Sequence, residues 1–121
     1  MPAGNAHRVL NTLKDADHVL PDPGVGQRIA TEKDLAICEL VTAAAEARTL
    51  ANPTKAGLRL ILRMKTDGGD CTVTASNGLN VAGNTNAAFQ DVGDLLELIS
   101  VSHTTGFRWE IVTNTGSVGL S

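Results

Sequence analysis

The sequence predicts an all-β protein: an antiparallel β-sandwich or flattened barrel of about seven or eight strands, preceded by an extended N-terminal arm. Two observations lead to this prediction. From residue 58 onward, hydrophobic side chains recur at every second position, which is the period of a strand with one buried face. Glycine, asparagine and threonine cluster between these alternating segments, as they do in turns.

The composition is that of a folded single domain. The chain has 121 residues, of which 42% are hydrophobic and 19% charged, so a core is expected. Aromatic residues make up only 2%, and aliphatic side chains must therefore fill that core. Cys38 and Cys71 form neither a disulfide framework nor a zinc signature, and we expect both to be reduced core residues.

Residues 1–30 differ from the rest because their polar and apolar positions are mixed. They are interpreted as the arm, and residues 31–121 are interpreted as the β domain. The arm ends in a segment rich in proline and glycine that begins at Pro21. Its apolar side chains include Val9, Leu10, Leu13 and Leu20. Because the arm cannot bury these side chains alone, we expect it to become ordered against a neighbouring subunit; the alternative is a frayed terminus.

The first clear strand of the β domain spans residues 58–64, where leucine and methionine alternate with Arg59, Ile61 and Arg63. The TDGGD segment at 66–70 supplies turn glycines, and Cys71 then opens another alternating stretch. These two stretches are predicted to form a hairpin.

A second hairpin is predicted from residues 94–101, the turn SHTTG and residues 107–112. Trp109 is expected to be a core anchor of this hairpin. Between the two hairpins, SNGLNVAGNTN is interpreted as a structured loop, because Asn and Gly accept turn conformations. The chain closes with Val118 and Leu120, again two residues apart.

Residues 31–53 are compatible with two structures. Thr31 and Asp34 resemble a helix-capping pair, and the alanines at 43–45 are strong helix formers. The alternation around Cys38 and Leu40, followed by EARTL at 46–50, is equally typical of two strands joined by a turn.

The usual catalytic and metal-binding motifs are absent from the sequence: no GxSxG, Walker loop or HExxH occurs, and the histidines are His7, His18 and His103. Asp15 and Asp17 beside His18 are interpreted as a solvated charge cluster. We interpret Asp67 and Asp70 as turn residues, since a calcium loop needs further oxygen ligands at alternate positions.

The acidic residues inside predicted strands have the spacing of a solvent-facing row. Glu97 and Glu110 are expected to pair with Arg59 or Arg108 rather than to act as a general acid and base. Only a pocket that held both glutamates together with His103 would favour a hydrolase. The sequence thus predicts no catalytic, cofactor-binding or metal-binding residues, and no enzyme.

Charge and hydropathy limit the expected partners and location. The formal net charge is -3, which provides no positive field for nucleic acid. No apolar run approaches the ~20 residues that span a bilayer, and the N-terminus lacks a signal-peptide pattern. We therefore expect neither nucleic acid nor membrane as a partner, and synthesis in the cytoplasm of a host cell.

Three pieces of sequence occur in an order that resembles decoration, or cement, proteins of tailed-bacteriophage capsids and related virion surface domains. They are ARTLANPTKAG, the TDGGD turn with its TVTAS strand, and the hairpin from GD-LELISV to RW-IV that ends in LS. The resemblance covers about residues 36–121. It favours strand over helix for residues 31–53.

The resemblance implies a structural virion protein that binds the outer surface of a phage head across junctions of the major capsid protein and stabilises it. We expect a homotrimer, because quasi-threefold junctions are the abundant sites on an icosahedral shell. The resemblance carries no functional residues over, because such proteins act through whole surfaces. The alternative is a receptor- or carbohydrate-binding module of a phage fibre or spike, which the scarcity of aromatic residues disfavours.

Overall fold

The structure, a computed structural model, describes residues 19–31, 33–104 and 106–121. These residues form strands and no helix. The strands are β1 (Val19–Leu20), β2 (Arg28–Ile29), β3 (Leu35–Val41), β4 (Glu46–Leu50), β5 (Arg59–Thr66), β6 (Cys71–Thr74), β7 (Asn86–Phe89), β8 (Leu95–His103), β9 (Gly106–Thr115) and β10 (Gly119–Leu120).

The strands form two open sheets of five strands each. Sheet A has the order β1-β3-β5-β8-β9, and sheet B has the order β10-β7-β6-β4-β2. The inward-facing residues of both sheets pack into one core. The predicted all-β, sandwich-like architecture is confirmed, although the described residues contain ten strands rather than seven or eight.

The first six strands alternate between the two sheets and pair in parallel. β3 lies between β1 and β5 in sheet A, and β4 lies between β2 and β6 in sheet B. Residues 19–74 therefore wind as a flattened coil whose successive turns stack in register, with Ile37 opposite Ile61. The predicted antiparallel pairing is wrong for this half and holds only for the pairs made by β7 to β10. Hydrophobic alternation identifies the buried face of a strand but not the direction of its neighbour.

The predicted hairpin around TDGGD is also wrong, because β5 and β6 belong to different sheets. The segment is a corner of the coil that stacks on the preceding corner at residues 42–45. A Cβ on Gly68 would lie 2.3 Å from the Thr42 carbonyl oxygen, and one on Gly69 would lie 2.3 Å from the Ala44 carbonyl carbon. These glycines are needed for close approach of two backbones, and neither has a positive φ.

The other local predictions are confirmed. β8 and β9 form the second hairpin, with His103 opposite Gly106 and a bulge that starts after Glu97. Residues 31–53 contribute β3 and β4 and no helix among the described residues. The alanine tract at 43–45 is the turn between these strands, and the Glu46 carboxylate accepts the Ala43 N–H at 2.9 Å.

Aliphatic side chains fill most of the space between the sheets, as the composition predicts. Trp109 is a core anchor: it is buried, and its indole N–H donates to the Ala51 carbonyl at 3.0 Å. The buried apolar residues are Ile29, Ala36, Cys38, Leu40, Leu50, Leu58, Leu60, Leu62, Met64, Cys71, Val73, Ala75, Leu79, Ala87, Phe89, Leu96, Leu98, Trp109 and Val118.

A buried ion-pair cluster lies at the N-terminal end of this core. The side chain of Arg48 is 0% exposed, and it forms two parallel hydrogen bonds of 2.8 Å with the Asp22 carboxylate. It also donates to Glu46 at 2.8 Å and to the Val41 carbonyl at 3.0 Å. The bonds to Asp22, and then the bond to Glu46, raise the pKa of Arg48 and hold it charged although burial opposes that.

Part of the segment interpreted as an arm belongs to the two sheets. β1 extends sheet A, β2 extends sheet B, and Ile29 lies in the core. Asp22, between these strands, is bound by Arg48. Of the arm's apolar side chains, Val9, Leu10 and Leu13 belong to residues 1–18, which lie outside the described residues, whereas Leu20 packs against the core.

Asp94 joins two loops at the opposite end of the chain. Its buried carboxylate accepts the backbone N–H groups of Gln90, Asp91 and Ser117, and also the Ser117 hydroxyl. Burial alone would raise the pKa of Asp94, but the backbone donors, with Ser117 first, lower it below its ordinary value. The carboxylate thereby fixes the β7–β8 loop to the β9–β10 turn.

We expect Asp22→Asn to lower the free energy of unfolding by about 2 kcal/mol, because the amide cannot neutralise the buried Arg48 guanidinium. Asp34→Asn is the matched control: Asp34 pairs with Lys55, but its side chain is 84% exposed, so its loss changes stability little. Urea titrations of the three proteins measure the effect. Equal stabilities for Asp22→Asn and the wild type would show that the cluster does not hold residues 19–31 in place.

Asp94 makes stability depend on pH in a defined direction. Because folding lowers its pKa, the carboxylate stabilises the fold above its unfolded value of 3.8, and this contribution is lost as the pH falls through the lower folded value. Asp94→Asn should therefore be less stable than the wild type by about 1–2 kcal/mol at pH 7, with the difference shrinking below about pH 4. Urea titrations at pH 7, 5 and 3 test this, and a difference that stayed constant would contradict it.

Candidate functional site

The structure separates the ionisable residues whose convergence would have indicated an enzyme. Glu97 and His103 project from the same face of β8 but are six residues apart, which is about 20 Å along a strand. Glu110 lies on β9 opposite Ile99 and accepts a hydrogen bond from Arg108 at 2.6 Å. The two glutamates and the histidine therefore do not share one pocket.

The candidate metal-binding residues either have a structural role in a turn or lie outside the described residues. The Asp67 carboxylate accepts the N–H of Gly69 at 3.1 Å, which is the bond of a turn residue. Asp15, Asp17 and His18 fall among residues 1–18. Within the described ranges, no group of three His, Cys, Asp or Glu residues is placed to hold a metal ion.

Two thiols lie inside the sandwich, as predicted for reduced core cysteines. Cys38 and Cys71 are free and fully buried. Burial, followed by the charge of Asp22, raises the pKa of Cys38 to about 12, and burial raises that of Cys71 to about 11. Thiolate formation is thus suppressed at neutral pH, which makes both residues poor nucleophiles.

The outer face of sheet A is rich in aliphatic side chains that are only partly covered. Alternation along β1, β3, β5 and β8 points them away from the core, and the strand register places Val19, Ile37 and Ile61 side by side. The aliphatic residues of this face are Val19, Leu35, Ile37, Val41, Ile61, Leu95, Ile99 and Val101. Leu35 is 41% exposed, so the face presents apolar surface to its surroundings.

Charged residues on the outer face of sheet A are paired with one another. Arg59 contacts Glu97 across β5 and β8, as the sequence predicts, and Arg108 contacts Glu110 along β9. Arg63 and Lys65 both lie within 4.0 Å of the Glu39 carboxylate. Every carboxylate of this face therefore has a cationic neighbour on the same face.

The outer face of sheet B has a different composition. One row across its strands consists of Arg28, Thr49, Thr74 and Asn86. The next row consists of Ala47, Thr72, Ala88 and Gly119. These outward side chains are small or polar and include no aliphatic residue larger than alanine, so the two outer faces differ sharply in apolar character.

The Asn-rich loop between β6 and β7 is structured, as predicted. Within it, the Asn80 side-chain amide donates to the Asn84 side-chain oxygen at 2.8 Å, and the Asn84 backbone N–H donates to the Asn80 side-chain oxygen at 3.0 Å. The Asn77 amide donates to the Phe107 carbonyl at 3.0 Å, which attaches the loop to β9. At the tip, Val81 is 80% exposed.

The described part of the chain contains no helix long and apolar enough to cross a membrane. No model of a protein family matches the chain, and no curated protein matches its sequence.

The two thiols provide a test of the site's chemistry. We expect iodoacetamide to leave Cys38 and Cys71 unmodified in the native protein at pH 8, and to modify both in urea, since the reagent needs an accessible thiolate. Mass spectrometry after timed labelling measures the modification. A cysteine placed at exposed Val81 (Val81→Cys) is the positive control, and rapid native labelling of either core thiol would contradict the expectation.

Proposed function

We propose that the protein is a capsid decoration, or cement, protein of a tailed bacteriophage, which binds the outer surface of the head across junctions of the major capsid protein. The order of the three motifs supports this assignment. The structural observation that carries it is the rigid attachment of the segment that follows residues 1–18. This segment reaches the sandwich at β1 and is fixed there by Asp22 and Arg48.

A cement protein must transmit force between capsid subunits, so its contact segment has to be firmly joined to its body. The Asp22–Arg48 pair provides such a joint, because two parallel charge-assisted hydrogen bonds fix both distance and orientation. β1 and β2 add backbone pairing to both sheets on either side of Asp22. Strain applied to the N-terminal segment is therefore passed to both layers of the sandwich.

Repetition makes modest contacts effective on an icosahedral shell. Each copy that spans a junction raises the free energy needed to separate the subunits, and linked copies in a trimer engage several junctions together. The protein itself needs no cofactor for this mechanism, since the work is done by buried contact area.

The test measures binding to the phage's own expanded capsid shells and the temperature at which the shells come apart. We expect the protein to pellet with the shells and to raise that temperature. Val25, in the loop after Asp22, is 65% exposed, and Val25→Asp should weaken binding about tenfold or more.

Val81→Asp is the matched control for shell binding, because it places the same charge on an exposed valine in a different loop, the Asn-rich loop between β6 and β7. It should bind shells as the wild type does. Failure of the wild type to pellet would refute the proposal. Binding to bacterial cells or surface glycans instead would identify a receptor- or carbohydrate-binding module.

A further inference from the structure

We infer that the outer face of sheet A is the surface through which copies of this chain associate. The biological setting of the inference, a trimer on a capsid, rests on the proposed function. The evidence for the inference itself is the distribution of apolar and charged groups over the two outer faces. The inference assigns a second copy of the chain, rather than the capsid, as the occupant of this face.

The apolar pattern of the face is that of a surface which is covered in an assembly. Val19, Ile37 and Ile61 form an uninterrupted row across three adjacent strands, which are about 4.8 Å apart. Leu35 and Ile99 flank Arg59 in the neighbouring row. Sheet B, built from the same alternating chain, presents arginine, asparagine, threonine, alanine and glycine at the corresponding outward positions. If both outer faces were exposed to solvent, we would expect both to have the same kind of polar composition.

The charge distribution identifies the partner. The outer face of sheet A carries four cations, Arg59, Arg63, Lys65 and Arg108, against three carboxylates, Glu39, Glu97 and Glu110. The remainder of the chain then holds six of the ten cations and ten of the thirteen carboxylates. The acidic remainders of two copies repel each other, whereas the repulsion between two copies of this nearly neutral face is weak.

The internal ion pairs reduce the cost of covering the face. A charged group that enters an interface unpaired loses its hydration without compensation, whereas Arg59 with Glu97 and Arg108 with Glu110 enter already paired. The aliphatic side chains between them supply the favourable term, since their removal from water stabilises association. A self-contact needs no complementary charge from another protein.

Two substitutions test the inference without disrupting the sheet. Leu35→Asp places a carboxylate opposite Arg59, and Ile61→Lys places an ammonium opposite Glu97, so each new charge has an opposite charge beside it within the monomer. Thr74→Asp and Thr74→Lys on the outer face of sheet B are the matched controls. Far-UV circular dichroism and thermal unfolding verify that all four variants fold.

The measurement is molar mass by light scattering coupled to gel filtration, across a hundredfold dilution series. We expect an oligomer for the wild type and both Thr74 variants, and a single-chain mass for Leu35→Asp and Ile61→Lys at the same concentrations. A monomeric wild type would overturn the inference, as would an oligomer that persists in both sheet A variants. Shell binding is measured separately. A stable oligomer that does not bind capsid shells would therefore refute the proposed function but not this inference.

Discussion

The buried guanidinium of Arg48 constrains the rest of the fold. A charge enclosed between two sheets requires partners, and these come from three places: Asp22 in the loop between β1 and β2, Glu46 in β4, and the Val41 carbonyl at the end of β3. The loop of the first turn of the coil is therefore held in place by a residue of the second turn. In the same way, the close stacking of Gly68 and Gly69 on the corner at 42–45 links the third turn to the second.

The residues on which the proposed assignment to phage decoration proteins rests are largely those that hold the fold together. Arg48 belongs to the ARTLANPTKAG segment, Gly68 and Gly69 to TDGGD, Asp94 to the start of the LELISV strand, and Trp109 to RW-IV. Each has a buried or close-packed role. The motif order thus follows residues of the architecture, whereas the proposed self-association uses outward residues such as Leu35 and Ile61, which lie between the structural positions.

Much of the sandwich follows from the alternation of side chains, as in β5 and β8, where every second residue is buried. Parallel pairing does not follow from it, because the direction of a neighbouring strand leaves no mark on the period of a single strand. The role of Arg48 was equally hidden: a basic residue at an inward position is indistinguishable from a solvent-facing one until Asp22 is known to lie beside it. The contrast between the two outer faces emerges only when the register aligns residues from different strands.

The coil has a consequence for how quickly the chain can fold. Strands β1 to β4 each pair with the strand after next, and the paired residues lie 18 to 25 positions apart, as for Val19 with Ile37 and Glu46 with Cys71. Among the paired strands of the described residues, only β8 and β9 are joined by a short connection. Loop closure must precede most of the stabilising contacts, which is the regime of high contact order and slow folding. The nascent protein therefore leaves its strand edges open for longer than a chain of simple hairpins would, and the proposed assembly would have to wait for the coil to close.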